Sequence, residues 1–160
     1  MIKVLFVCLG NICRSPMAEA IFADRVRMGG GGERFEIDSA GTGDYHIGDR
    51  AHPGTRGVLA RHDIPYHGRA RQMTLEDLHH YEYIIAMDER NLRDIEEQFG
   101  PTQNVTLLLD YVPTLPDREV PDPYFTGDFE GVFSLIHQGV DGLLAHIIAK
   151  HELAETPSAE

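Results

Sequence analysis

Cys8 and Arg14 stand six positions apart in the run Val4-Leu5-Phe6-Val7-Cys8-Leu9-Gly10-Asn11-Ile12-Cys13-Arg14-Ser15-Pro16, and together they suit attack on a bound oxyanion. A thiol reacts as its thiolate, which the positive end of a helix and a nearby cation both favour. A guanidinium presents a planar fork of donors that matches two oxygens of a phosphoryl group, which a lysine point charge does not. The intervening residues must form a loop from a strand into a helix, because that turns successive N–H groups inward and adds the helix dipole. Gly10 and Asn11 are the loop residues that best tolerate positive φ.

Displacing an ester oxygen from phosphorus, which would otherwise leave with full charge, also needs a proton donor. The candidate lies far along the chain, in Val120-Pro121-Asp122-Pro123-Tyr124-Phe125. Its prolines stiffen the backbone around Asp122, so aiming that carboxyl costs little entropy. Alone, Pro-Asp-Pro reads as an ordinary turn. Beside the Cys8 loop it reads as the acid.

The elements that must position these groups follow from the patterning. Residues 2 to 7 are apolar on both faces, as in a strand buried within a parallel sheet. Ser15 is placed to cap a helix that Pro16 opens, with Glu19 near its positive end, Met17, Ala20, Ile21 and Phe22 facing inward, and Gly29 to Gly32 ending it. A second strand runs from Phe35 to Gly41, and an aperiodic stretch leads to His52. Pro53 opens a helix through Arg61, Thr74 and Asp77 cap a short one, and a third strand covers Tyr83 to Met87. Asp88 caps a helix to about Phe99, Val105 to Leu109 is the fourth strand, and a long helix spans 128 to 151. This alternation predicts an α/β three-layer sandwich: a four-stranded, parallel, twisted sheet flanked by helices on both faces, with Cys8 at a strand's carboxyl end. Residues 1–152 read as one domain and 153–160 as a disordered tail.

Composition narrows the function classes. With 26 acidic and 14 basic residues the net charge is -12, which excludes a nucleic-acid-binding surface built on basic stripes. The same charge repels an anionic substrate at long range, so binding must rest on the local field of loop amides and Arg14. No apolar run approaches bilayer length and no signal pattern precedes the first strand, so no membrane partner is expected. Both cysteines fall in one loop, which points to a reactive site in a reducing compartment, hence a cytoplasmic protein. The histidines lack metal-ligand spacing with the cysteines. No metal and no cofactor are called for.

The run Cys8-Leu9-Gly10-Asn11-Ile12-Cys13-Arg14-Ser15-Pro16-Met17-Ala18-Glu19-Ala20 closely resembles the phosphate-binding loop of the low-molecular-weight protein tyrosine phosphatases, and Asp122-Pro123-Tyr124 resembles their Asp-Pro-Tyr motif. The likeness covers nearly the whole chain. It implies hydrolysis of phosphotyrosine proteins or small aryl phosphates through a phosphocysteine on Cys8. Arg14 and the loop residues Leu9, Gly10, Asn11, Ile12, Cys13 and Ser15 would bind phosphate, and Asp122 would serve as acid and then base. Tyr45 and Tyr124 would wall the substrate ring, while Asn11, with Ser39 and His67, would hold the loop in its strained shape. Phe125 stands where many relatives carry a second tyrosine. Cys13 either packs under the loop or pairs with Cys8 on oxidation. Arsenate reductases of this fold need further cysteines for their relay, which this chain lacks. Relatives that hydrolyse phosphoarginine carry Thr where this loop has Ile12, so phosphotyrosine is favoured. A monomer, or at most a weak dimer, is expected.

Overall fold

Strand β1 (Ile2–Cys8) alternates its side chains between two apolar clusters, which is why nearly every residue in it is apolar. Val4, Phe6 and Cys8 face the cluster beneath α1 (Arg14–Met28) and α6 (Phe129–Lys150), and Leu5 and Val7 face the opposite one. The computed structural model describes residues 1–151, so the tail expected at 153–160 lies outside the described residues. On the α1 side, Phe6, Phe22 and Phe35 pack in a row with centroids 5.6 and 5.4 Å apart. Each such ring contributes on the order of 2 to 3 kcal/mol through burial.

β1 lies between β2 (Phe35–Gly41) and β3 (Tyr83–Ala86), and β3 pairs with β4 (Val105–Leu107), giving the all-parallel order β2-β1-β3-β4. Helix α2 (Pro53–Arg61) joins α1 and α6 on one face. On the other face, α4 (Glu89–Phe99) contributes buried Ile95 to the second cluster, alongside Leu78 of α3 (Leu75–His80). The α/β sandwich read from the pattern is the fold observed. The chain leaves β1 toward β2 and later crosses back to place β3 on the other side of β1. The carboxyl ends of β1 and β3 therefore form the crevice where such sheets bind ligands.

Three boundaries and one expectation about length depart from the sequence reading. α1 starts at Arg14, so Ser15 lies inside the first turn and its hydroxyl does not cap the helix. The third strand stops at Ala86. The fourth ends at Leu107 because residues 108–111 wind into a 3-10 turn, where Asp110 accepts from the Leu107 N–H at 3.2 Å. Finally, α6 is long and apolar enough, by length and composition, to cross a membrane, contrary to the expectation that no stretch had that reach. Its stripe from Val132 to Ile147 is buried against α1 and that turn, which accounts for the apolar content.

Candidate active site

Residues 9–13 make a loop whose carbonyls are held from outside. The Cys8, Leu9 and Ile12 carbonyls accept from the N–H groups of Thr42 (2.9 Å), Gly43 (2.9 Å) and His52 (2.8 Å), and the Cys13 carbonyl accepts from the Thr55 hydroxyl at 3.1 Å. The N–H groups of residues 9–13 donate to no acceptor among the described residues. With carbonyls turned out and amides free, the loop is a cradle for an anion at the start of α1. Asn11 takes the left-handed conformation, φ 56°, and pays its strain through the bonds described below. Gly10 does not share it, in correction of the sequence reading; a Cβ there would lie 2.9 Å from the His46 ring. Gly41 at the end of β2 is needed for close approach, since a Cβ would meet the Leu9 carbonyl at 2.8 Å.

Arg14 is buried beneath this cradle. Its Nη1 donates to Asp88 Oδ2 at 2.6 Å and to the Val120 carbonyl at 2.9 Å, and its Nη2 reaches Asp122 Oδ2 at 3.4 Å. Nε has no partner among the described residues. A buried, unpaired guanidinium N–H is costly, and a phosphoryl oxygen would satisfy it. Burial works against the charge of Arg14, but Cys8, Asp88 and Asp122 outweigh it and raise the pKa, so the cation persists.

The hydrogen-bond directions around Cys8 are fixed by one anchor. Asn11 Oδ1 accepts from the Arg71 N–H at 3.0 Å, which sets the amide orientation. Its Nδ2 then donates to Ser15 Oγ at 2.8 Å and to Ser39 Oγ at 2.9 Å. Ser15 Oγ lies 3.0 Å from Cys8 Sγ with its own proton still to place, and when it donates that proton to the sulfur the bond stabilises a thiolate. Ser39 passes its proton to Glu19 Oε1 at 2.5 Å, which also accepts from Tyr66 OH at 3.1 Å. Burial pushes the Glu19 carboxyl up to about 7, even with these donors. Arg71 is itself clamped by Asp38 at 3.0 Å and by Asp77 at 3.0 and 3.1 Å.

The cavity over the loop holds about 360 Å³ and is lined by Cys8, Leu9, Gly10, Ile12, Cys13 and Arg14 below, with Tyr45, His46, Asp122, Tyr124 and Phe125 at its rim. Asp122 caps the short helix α5 (Pro123–Thr126), its Oδ1 accepting from the Tyr124 N–H at 3.0 Å. The segment before it docks just beyond the end of β3, where the Val120 N–H donates to the Met87 carbonyl at 2.9 Å. Cys8 and Cys13 are free and buried. Burial, with the charges of Cys8 and Asp122, pushes the Cys13 thiol up to about 12, so it stays a neutral packing group beside Ile12 and Ala70.

The structure thus gathers Cys8, Leu9, Gly10, Ile12, Cys13, Arg14, Tyr45, Asp122 and Tyr124 at one cavity, while Asn11, Ser15 and Ser39 support it from outside the lining through their hydrogen bonds. His67 is not among them. It is exposed and makes no hydrogen bond among the described residues. The supporting position is filled from the preceding residue, Tyr66, whose hydroxyl occupies space that a Cβ on Gly68 would enter at 2.3 Å. Sequence reasoning also passed over Asp88, read only as a cap for α4 although it caps the helix and holds Arg14 at once. Glu19 was read as a charge at the positive end of α1; Arg71, His46 and Phe125 were given no role at all. For Asp88 a signal existed, an acid immediately beyond a buried strand. For Glu19 the partners Ser39 and Tyr66 are remote in sequence and left none, and Arg71 reaches the site through Asn11, 60 positions away.

Residues 3–153 match the model of the low molecular weight phosphotyrosine protein phosphatase family. The chain is 48% identical over 156 residues to the low molecular weight protein-tyrosine-phosphatase YfkJ of Bacillus subtilis, covering 96% of this chain and 100% of that protein. The crystal structure of YfkJ superposes with a TM-score of 0.90 over 95% of this chain and 97% of that one. The crystal structure of a Drosophila arginine phosphatase is similar at 32% identity and a TM-score of 0.81, covering 91% and 98% of the two chains. With a family model spanning nearly all of its length and relatives covered end to end, this chain belongs to the low-molecular-weight phosphotyrosine protein phosphatase family.

Proposed function

We propose that this chain hydrolyses phosphotyrosine in proteins, and small aryl phosphates, through a phosphocysteine on Cys8. Cys8 Sγ attacks phosphorus in line, the bond to the aryl oxygen breaks, and Asp122 delivers its proton to the departing phenol. Loop N–H groups and Arg14 hold the equatorial oxygens as charge spreads over them. Asp122, now a carboxylate, takes a proton from water as that water attacks phosphorus. The S–P bond breaks, and the Ser15 hydroxyl stabilises the sulfur as it leaves. Tyr45 and Tyr124 flank the ring. The observation that carries the reading is a single cavity lined by Cys8, Arg14 and Asp122, with the Arg14 Nε free to take an oxygen. Ile12 adds an apolar wall, which suits a phenyl ring better than a guanidinium and favours phosphotyrosine over phosphoarginine.

One domain over residues 1–152 carries the whole site, and the enzyme is a monomer or at most a weak dimer. A reducing cytoplasm keeps Cys8 a free thiol. Cys8→Ser is expected to lose all measurable turnover of p-nitrophenyl phosphate while still binding inorganic phosphate. Asp122→Asn is expected to lose about 10²- to 10⁴-fold, most for basic leaving groups and least for acidic ones. Turnover by Cys8→Ser at the wild-type rate, or an Asp122→Asn loss equal across leaving groups, refutes the assignment.

A further inference from the structure

Acidic residues outnumber basic ones 26 to 14 in this chain, and six arginines find carboxylates: Arg14, Arg25, Arg27, Arg61, Arg71 and Arg118. Three without one lie together. Arg50 has no side-chain partner among the described residues, Arg56 Nε donates only to the Ala51 carbonyl at 2.9 Å, and Arg69 Nη1 only to the Gly48 carbonyl at 3.2 Å. Arg50 and Arg69 face each other across an isolated antiparallel bridge. Arg50 and Arg56 line, with Arg27, a groove of about 870 Å³, more than twice the volume of the catalytic cavity. Asp63 is the only acid among its lining residues, and Leu59, Ile64 and Pro65 supply apolar surface.

The groove is next to the catalytic cavity. One segment separates them: Tyr45 and His46 line the cavity, and Arg50 and Pro53 line the groove. Guanidiniums without counter-ions among the described residues, two of them held by carbonyls, concentrate positive potential on a protein with a net charge of -12. We propose that this groove is a docking surface for a glutamate- or aspartate-rich segment of the phosphoprotein substrate, a few residues from the phosphotyrosine. This rests on the phosphotyrosine reading above. The apolar lining suits a polypeptide backbone and side-chain stems. Of the two rings that line the groove, Tyr66 is engaged by Glu19, which leaves His67 alone and no stack of free rings for nucleic acid bases.

The test compares two phosphotyrosine peptides of equal length, one with a run of glutamates three to six residues from the phosphotyrosine, tried on each side, the other with glutamines. Wild type should show kcat/KM about tenfold higher for one acidic peptide at low salt, while Arg50→Glu/Arg56→Glu abolishes that preference and leaves p-nitrophenyl phosphate hydrolysis within twofold. The gap between wild type and variant should shrink as salt is added. Arg50→Glu alone, which removes no hydrogen bond, should give about half the effect on a logarithmic scale and guards against misfolding of the double variant. Equal kcat/KM for acidic and neutral peptides in wild type, or a preference that survives charge reversal, overturns the proposal. Fluorescence anisotropy with a non-phosphorylated acidic peptide reads the groove without chemistry, so loss of catalysis with retained Arg50-dependent binding refutes only the phosphatase reading. An oligonucleotide of equal charge that binds as tightly overturns the peptide assignment.

Discussion

The floor and the rim of the catalytic cavity are built on opposite principles. Cys8, Asn11, Arg14, Ser15 and Ser39 are nearly inaccessible, and each is held by side-chain bonds that leave one arrangement. Tyr45, Tyr124 and Phe125 are 70%, 52% and 76% exposed, and Tyr124 meets the His52 ring edge to face and the His46 ring at a tilt. The difference separates two tasks. Stabilising charge on phosphorus needs donors fixed before the substrate arrives, whereas accepting tyrosines from different proteins needs surfaces that adjust. Asp122 belongs to both, with one oxygen toward Arg14 in the floor and the other capping a helix of the rim.

Substitutions should separate the two in proportion. Arg14→Lys, which keeps the charge but loses the fork, should lower kcat about 10²- to 10³-fold in steady-state assays with p-nitrophenyl phosphate; a loss under tenfold would mean the floor works as a point charge. Glu19 offers a probe through stability. Its folded pKa of about 7 exceeds the ordinary 4.5, so the folded state binds more protons between those values and stability falls as pH rises across them. Glu19→Gln should remove on the order of 3 kcal/mol of that pH dependence, read from urea midpoints at pH 4.5 and 7.5. Unchanged dependence would remove Glu19 from the floor's support. The smallest effect is expected at the rim, where Tyr45→Ala should raise KM for a phosphotyrosine peptide about threefold with kcat little changed. A large kcat loss there would erase the distinction between floor and rim.

Much of the fold was legible because its signals are local. Pro53 starts α2 and Asp88 starts α4 at the expected residues, and Thr74 with Asp77 forms the capping box. The strand–loop–helix around Cys8 could be read for the same reason, since its residue types and spacing lie within one short run. What escaped depends on contacts distant in sequence. His67 was expected behind the loop and Tyr66 stands there, because a shift of one residue in an irregular segment reverses which side chain points inward. Net charge was equally coarse. Residues 1–72 carry 10 basic and 8 acidic residues, and residues 73–160 carry 4 and 18. The expected repulsion of substrate therefore comes from one part of the chain, while Arg14 and the arginine groove belong to the other.

The partners of Arg14 lie 74, 106 and 108 positions further along the chain, at Asp88, Val120 and Asp122. During synthesis Cys8 emerges well before them, so the guanidinium beside it is not aimed until those later residues have folded back, and the α6 helix that packs on α1 comes later still. Closing contacts over such spans is slow compared with local folding. The reactive thiol is therefore made early and armed late, so a nascent or truncated chain carries a cysteine without a phosphatase.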